Sequence, residues 1–562
     1  MKFKDYKYER INIETVVEFL DKQISKLKSD LPYEEEFAII RVFQNEMKRI
    51  ETLYNIAGVR YTLNVNDEFY KQEREFFDLN IPKILQKEQE FGILLLNSKY
   101  KNKHIKYFGK QLFDLIEIGI KTFDPCIMED LQKENLLTTE YVNIISNAAI
   151  EFDGKTLNLS ELNKYSHDAN REVRKAASDA AALFFHDNDE KVGQIYDELV
   201  KLRDLIAKKL GYENFIELGY LRMKRIGYTK FDVENYRADV LKYLTPLASK
   251  LTKEKSDRFG FDVKNYDANI DFKNGNPSLL GDEEYLVNQA LTMYKDMSKE
   301  TGEFFEYMIE NGLLELTARK GKSGGGYCTY FADYNSPFIF SNFNGTSADV
   351  DVLTHEAGHA FQVYACEYKD LSSSYAFPTS DACEIHSMSM EYFGYPYMDK
   401  FFTDANKYKH SHLLSNITFV PYGVLVDHFQ HEVYKNPSIN YEERKRLWRK
   451  LEKEYMPFKV YDNEYYNEGL YWYRQAHIFE APFYYIDYVL ATNCAWQFLI
   501  LNEENHNKAW ESYLKICKIG GKLSFLDIVK QAKLKSPFIK GNLKTIIEKV
   551  EKIFRSIKIN DN

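Results

Sequence analysis

His355, Glu356 and His359 stand in the stretch Thr354-His355-Glu356-Ala357-Gly358-His359-Ala360, which reads as helix. Two histidines four residues apart are about 40° apart around a helix, so both rings can face one metal ion. Glu356 lies roughly 100° further round, where it reaches a metal-bound water rather than the metal. Pro378-Thr379-Ser380-Asp381 is a helix-start cluster, and it puts Glu384 in the early turns of a second helix. Two histidines and a glutamate are the ligand set of many hydrolytic zinc sites, with a fourth position left open for water. A surface helix carrying scattered charges is the plain alternative, but it leaves the second helix start and Glu384 without a role.

Other residues can support such a site. Glu391 follows Glu384 by two turns and shares its helix face, so it can take the outer N–H of a metal-bound histidine. Asp351, one turn before His355, competes for that role. Cys366 and Cys383 flank the motif; a small buried apolar thiol is the commoner use of such a residue than a thiolate ligand. Further on, Tyr471-Trp472-Tyr473-Arg474-Gln475-Ala476-His477 leads into Pro482-Phe483-Tyr484-Tyr485-Ile486-Asp487-Tyr488. Phenols and an imidazole N–H are suitable donors to a developing oxyanion, and an aromatic core is the bland reading. His428 and His431 also share a helix face, but no water-activating partner accompanies them, so they read as packing and hydrogen-bonding residues.

The elements that must hold these residues are mostly helical. Residues 13–145 carry apolar residues at helical spacing, as in Val16-Val17-Glu18-Phe19-Leu20 followed by Ile24 and Leu27. Asp153-Gly154 predicts a hairpin near 148–159. Helical patterning then runs past 250. Residues 259–282 read as a long Gly-, Asn- and Asp-rich loop, with a hinge between lobes as the functional reading. Gly321-Lys322-Ser323 imitates the end of a phosphate-binding loop, but Leu316 stands where its first glycine belongs, so a mobile loop beside the site is the better reading. Pro337-Phe338-Ile339-Phe340 reads as a strand, and a proline at its start suits an edge. Such an edge takes an extended peptide by strand addition, whereas an internal strand does not. On the first reading Phe338, Phe340, Gly325, Gly326 and Tyr327 are the candidate substrate-binding residues. The expected division is an N-terminal helical region over 1–195, containing the hairpin, and a catalytic region over 196–562.

Of the 562 residues 44% are hydrophobic, and 43 Tyr and 39 Phe supply a large aromatic interior. A net charge of −10 with no sustained basic run argues against nucleic acid as a partner. No apolar run reaches membrane-spanning length and the N-terminus lacks a signal-like segment, so a cytoplasmic location is expected. The six scattered cysteines contain no CxxC pair and read as free thiols. The sequence sets no oligomeric state.

With these residues in view, the chain resembles the oligoendopeptidase F branch of the thimet oligopeptidase-like zinc peptidases. The resemblance rests on His355-Glu356-Ala357-Gly358-His359 and on Glu384-Ile385-His386-Ser387-Met388-Ser389-Met390-Glu391. The Arg319–Cys328 segment and the block from His477 to Tyr488 support it, and it covers roughly residues 200–540. It implies a mostly α fold, a two-lobed helical shell around a deep substrate channel with a small β-sheet near the metal. One Zn2+ per chain is held by His355, His359 and Glu384, and Glu356 is the general base. His477, Tyr485 and Tyr488 match the oxyanion-binding positions, with Tyr484 competing for the place of Tyr485. The activity implied is internal cleavage of short unstructured peptides. A zinc metallocarboxypeptidase on a similar scaffold is the alternative, with Arg319, Lys320 or Arg474 holding the terminal carboxylate. A peptide-binding protein with a vestigial site would not need the intact set His355, Glu356, His359 and Glu384.

Overall fold

The computed structural model describes residues 1–559. Helices dominate, and among the described residues the strands are β1 (Ile150–Phe152), β2 (Lys155–Leu157), β3 (Leu314–Thr317), β4 (Tyr327–Phe331) and β5 (Ser336–Phe343). The fold is therefore mostly α with two small sheets. Four helices carry the residues of interest: α1 (Ala348–Ala365), α2 (Ser380–Phe393), α3 (Ala405–Lys435) and α4 (Tyr485–Glu504). The chain forms two compact units, each discontinuous in sequence. The first holds residues 1–120, 278–403 and 501–534; the second holds 121–277, 404–500 and 535–562. The boundary at 277/278 falls inside the long loop between Phe259 and Glu283. No helix among the described residues is long and apolar enough to cross a membrane.

In the first unit, local sequence rules account for the N-terminal layer. Asn12 caps the helix Ile13–Leu27 by accepting from the Thr15 N–H, a contact typically worth about 1 kcal/mol. Ile13, Val16, Leu20 and Ile24 fall on one stripe and are buried against Phe43, Phe77 and Phe91. This layer adjoins the three-stranded sheet, where the helix Tyr33–Leu63 supplies Asn55, whose amide donates to the Tyr330 carbonyl at 3.0 Å.

That sheet has the order β3-β5-β4, with β5 parallel to β3 and antiparallel to β4. β5 is thus the central strand, and the expectation of an edge at Pro337 is corrected. Both sides of β5 are occupied, and Phe338 and Phe340 are buried core residues, 1% and 0% exposed. The register explains how a central strand tolerates proline: β3 pairs only from Ile339 onward, so Pro337 has no ladder partner on that side. The edge belongs to β4, which has no strand on its other side among the described residues.

The glycine-rich stretch before β4 is tied down, against the expectation of mobility. The fully buried Lys322 ammonium donates to the carbonyls of Glu315, Thr317 and Ser341 at 3.0, 3.0 and 2.6 Å. Gly321 O accepts from Val65 N at 2.7 Å, and Ser323 N donates to Thr62 O at 2.8 Å. Burial lowers the Lys322 pKa to about 8. Glycine content alone reads as freedom, but the start of the stretch is anchored by one lysine with three carbonyl partners, and Gly324, Gly325 and Gly326 after it are exposed.

In the second unit the hairpin forms as expected. Asp153 and Gly154, both with positive φ, turn β1 into β2 with Ile150 opposite Leu157.

Candidate active site

The chain reaches α1 from β5 through a loop fixed by Asp349, whose carboxylate accepts from the backbone N–H groups of Asn344 and Gly345 at 2.9 and 2.8 Å. α1 then packs closely on α2. A Cβ at Gly358 would lie 2.6 Å from Ser387 Cα and 2.7 Å from His386 O. Only glycine between the two histidines lets the helices approach this far, and that approach carries Glu384 to the histidine rings.

His355 Nε2 lies 3.3 Å, and His359 Nε2 3.6 Å, from Glu384 Oε2. Ligand atoms of the three residues all fall within 4.8 Å of one another. Tetrahedral zinc with bonds of about 2.0–2.1 Å requires donors roughly 3.4 Å apart. The spacing and the N, N, O donor set therefore fit zinc and leave a fourth position open. Ser387 Oγ donates to Glu384 Oε2 at 3.0 Å and orients that carboxylate.

The outer ring nitrogens are also engaged. Glu391 Oε1 lies 2.7 Å from His355 Nδ1. Asp351, the competing candidate, acts on the buried Tyr395, whose phenol is raised by burial first and then by Tyr392, Glu391 and Asp351. Cys383 Sγ lies 3.3 Å from His359 Nδ1, a contact that spacing gave no reason to expect. Burial alone would strip His355 of its proton, yet Glu384 and Glu391 lift its pKa to about 10. Burial likewise opposes ionisation of Glu384, and the two histidines override it and hold it well below the carboxylate range. A field that draws positive charge so strongly onto imidazoles is the field that retains a dication.

Glu356 differs from its neighbours. It is buried, and its Oε2 has no hydrogen-bond partner. A buried, unpaired carboxylate oxygen is costly unless something else occupies the space beside it. Burial raises its pKa, which brings the carboxylate toward the range of a general base working near neutrality. Gly326 borders it, since a Cβ there would sit 3.7 Å from Glu356 Oε1 and 3.2 Å from Val352 Cγ1. Tyr327 stacks on Phe340 at 4.8 Å and shares a 2.6 Å hydrogen bond with Thr62.

The second unit gathers the other expected residues. The His477 ring lies 5.4, 5.1 and 5.9 Å from those of Tyr484, Tyr485 and Tyr488. Gln475 Nε2 donates to His477 Nδ1 at 2.9 Å, and Tyr422 OH donates to Gln475 Oε1 at 2.9 Å. An acceptor role at Nδ1 puts the proton of the neutral ring on Nε2. α4 starts immediately after Phe483 and Tyr484, and Phe483 has φ 68°, a strained value for an aromatic residue. Gln430 accepts from its N–H at 2.9 Å, Arg225 donates to its carbonyl, and its ring lies against Gly219, where a Cβ would come within 2.6 Å.

His428 and His431 are held differently. His428 Nδ1 meets Tyr455 OH at 3.0 Å. His431 bonds Tyr220 OH at 3.1 Å and the Asp427 carbonyl at 2.9 Å. Among the described residues only His355, His359 and Glu384 form a cluster able to hold a metal.

Residues 164–547 match peptidase family M3, and residues 3–123 match the peptidase M3 N-terminal domain. The chain belongs to family M3. Within it the chain falls in the oligoendopeptidase F branch. The structure of PZ peptidase A with an inhibitor is 44% identical, with complete coverage of both chains and a TM-score of 0.96. A Bacillus anthracis structure described as an oligoendopeptidase F is 44% identical over 99% of each chain, with a TM-score of 0.91. The oligoendopeptidase F of Enterococcus faecium, 13% identical over 97% of each chain at a TM-score of 0.62, shares the fold. No curated protein matches the chain. This M3 protein is thus a peptidase of a metallopeptidase family, and its substrates are peptides.

Proposed function

We propose that the protein is a zinc-dependent endopeptidase that cuts internal bonds of short, unstructured peptides. The observation that carries this reading is the donor set His355, His359 and Glu384 at zinc-like spacing beside the unpartnered Glu356 oxygen. Zinc, when bound, polarises the scissile carbonyl and acidifies the attacking water toward a pKa of about 7. Glu356 takes the proton of that water and passes it to the leaving amine. Glu391 and Cys383 hold the imidazole rings in the ligating orientation. Tyr488, assisted by His477 or Tyr485, donates to the tetrahedral oxyanion; the proton on His477 Nε2 suits that role. The outer edge of β4, preceded by Gly325 and Gly326, offers main-chain groups to an extended peptide, and Tyr327 opens that strand.

The test is metal-dependent cleavage of a mixed peptide library read by mass spectrometry. Internal cleavage that stops on chelation and returns with zinc is expected, with folded domains left intact. Release of single C-terminal residues only, or cleavage indifferent to chelation, would falsify the reading.

A further inference from the structure

The second unit contains a cavity of about 420 Å³ whose walls include Tyr422, Lys459, Tyr471, Arg474, Gln475 and Tyr485. In a chain of net charge −10 its lining is positive: Lys255, Lys264, Lys459 and Arg474 face only one carboxylate, Asp271. The lysines are paired, Lys255 with Asp271 at 2.9 Å, Lys264 with Asp462 at 3.3 Å and Lys459 with Glu452 at 3.3 Å. Arg474 is not. Among the described residues it has no carboxylate partner; its Nη1 donates to Tyr471 OH at 3.2 Å and its guanidinium lies 5.0 Å from that ring. Lys459 Nζ sits 3.2 Å from the centre of the same ring.

Arg474 is exposed, so its guanidinium, five donors in a planar fork that matches a carboxylate, is met by one phenol and by solvent and stays open to a ligand. Tyr471 registers the excess charge. Burial pushes its phenol up, and Arg474 and Lys459 outweigh that and hold it below its usual range. The cavity also shares its wall with the histidine–tyrosine block. Gln475 lines the cavity and bonds His477, and Tyr485 lines it 5.1 Å from the His477 ring.

We propose that this cavity is a carboxylate-recognition subsite for the peptide substrate, with Arg474 as the anchoring group. The proposal rests on the peptidase reading. The carboxylate is either the C-terminus of a short peptide or an Asp or Glu side chain, and both present the same two-oxygen face to the fork.

The experiment uses the full-length, zinc-loaded chain with Glu356→Gln, so that peptides bind without turnover. Three fluorescein-labelled peptides of one neutral sequence are compared by anisotropy: a free acid, its C-terminal amide, and the amide with one internal Glu. At least one carboxylate form is expected to bind about tenfold or more tightly than the neutral amide, and which one identifies the source. Adding Arg474→Gln should reduce that preference to within about twofold, and Arg474→Lys should restore part of it, because lysine supplies charge without the fork. Equal binding of all three peptides, or a preference that survives Arg474→Gln, overturns the proposal. If Arg474→Gln does not fold, Tyr471→Phe carries the test: removing the competing phenol should sharpen the preference, and an unchanged ratio overturns it. Cleavage by the unsubstituted enzyme separates the two readings. Cleavage without acid preference removes the subsite and leaves the peptidase; acid preference without cleavage by any form removes the peptidase and leaves the subsite.

Discussion

Two helices of this protein each present a pair of histidines on one face, and they differ in what stands opposite. On α1, His355 and His359 face Glu384, and Glu391 backs His355. On α3, His428 and His431 meet phenols and the guanidinium of Arg237, 3.1 Å from His431 Nδ1; their carboxylates, Asp427 at 3.3 Å from His431 and Glu432 at 3.9 Å from His428, come from the same helix and not from a facing one. The titration of the rings follows. Carboxylates overcome burial and raise His355 to about 10, whereas burial, aided by Arg237, lowers His428 to about 4. Two imidazoles on a helix face are therefore not a metal site by themselves. The deciding group comes from a second helix, and in α2 it arrives only because Gly358 lets the helices touch.

The comparison can be broken most directly by metal content. His355→Ala should abolish bound zinc and cleavage, and His431→Ala should leave zinc stoichiometry unchanged by elemental analysis. Equal zinc in both variants would remove the distinction. Next in size, Glu356→Gln should keep zinc and lose on the order of 10²–10⁴ in kcat, because it removes a proton carrier and not a ligand. Near-normal turnover with zinc retained would transfer the base role elsewhere.

Tyr488→Phe keeps the ring and deletes one donor, so by the measured cost of losing an oxyanion donor kcat should drop about 10²–10³-fold, or about 2.7–4 kcal/mol, with KM little changed. Running Tyr485→Phe beside it fixes the register: a large loss there and none at position 488 assigns the oxyanion to Tyr485. Glu391→Gln should then weaken zinc affinity about 10–100-fold, measured by competition with a chelator. An unchanged affinity would mean that the 2.7 Å contact only fills space.

The smallest effect is on acid stability. At pH above about 6.5 His428 is neutral folded and unfolded. Below that the unfolded chain takes up the proton, and the folded chain resists until about 4, so stability falls across this window. His428→Gln should flatten that part of the Tm–pH curve by a few degrees; parallel curves would place the acid sensitivity at other groups.

The site's first layer was legible because it is local. His355, His359 and Glu356 follow from helical spacing, Glu384 from a helix-start signal, and the place of Glu391 from two further turns. The mostly helical fold and the hairpin at Asp153-Gly154 were legible for the same reason. What sequence misplaced depends on partners distant in the chain. A strand of apolar residues after a proline reads alike at an edge and at a centre, and only the short reach of β3 reveals how Pro337 fits in the middle. Lys322 looks like a solvated loop lysine until three carbonyls converge on it. Cys383 and Tyr422 act through contacts that no spacing rule encodes, because Cys383 meets His359, and Tyr422 meets Gln475, only by packing.

Phe483 has a consequence for the geometry of the histidine–tyrosine block. Its left-handed backbone is fixed from both sides, by Gln430 at the N–H and Arg225 at the carbonyl, immediately before a helix of 20 residues begins. A helix has one rotational phase, and the direction in which the chain enters sets it. Each residue advances that phase by 100°, so Tyr485 and Tyr488 share a face by their spacing, and the entry angle sets the direction in which that face points. The strained residue thus works as an index pin: a roll of α4 about its axis would break its contacts to Gln430 on α3 and to Arg225 in the connection after the helix Phe215–Arg222. On the role proposed for these tyrosines, a ligand meets rings whose direction is set before it arrives.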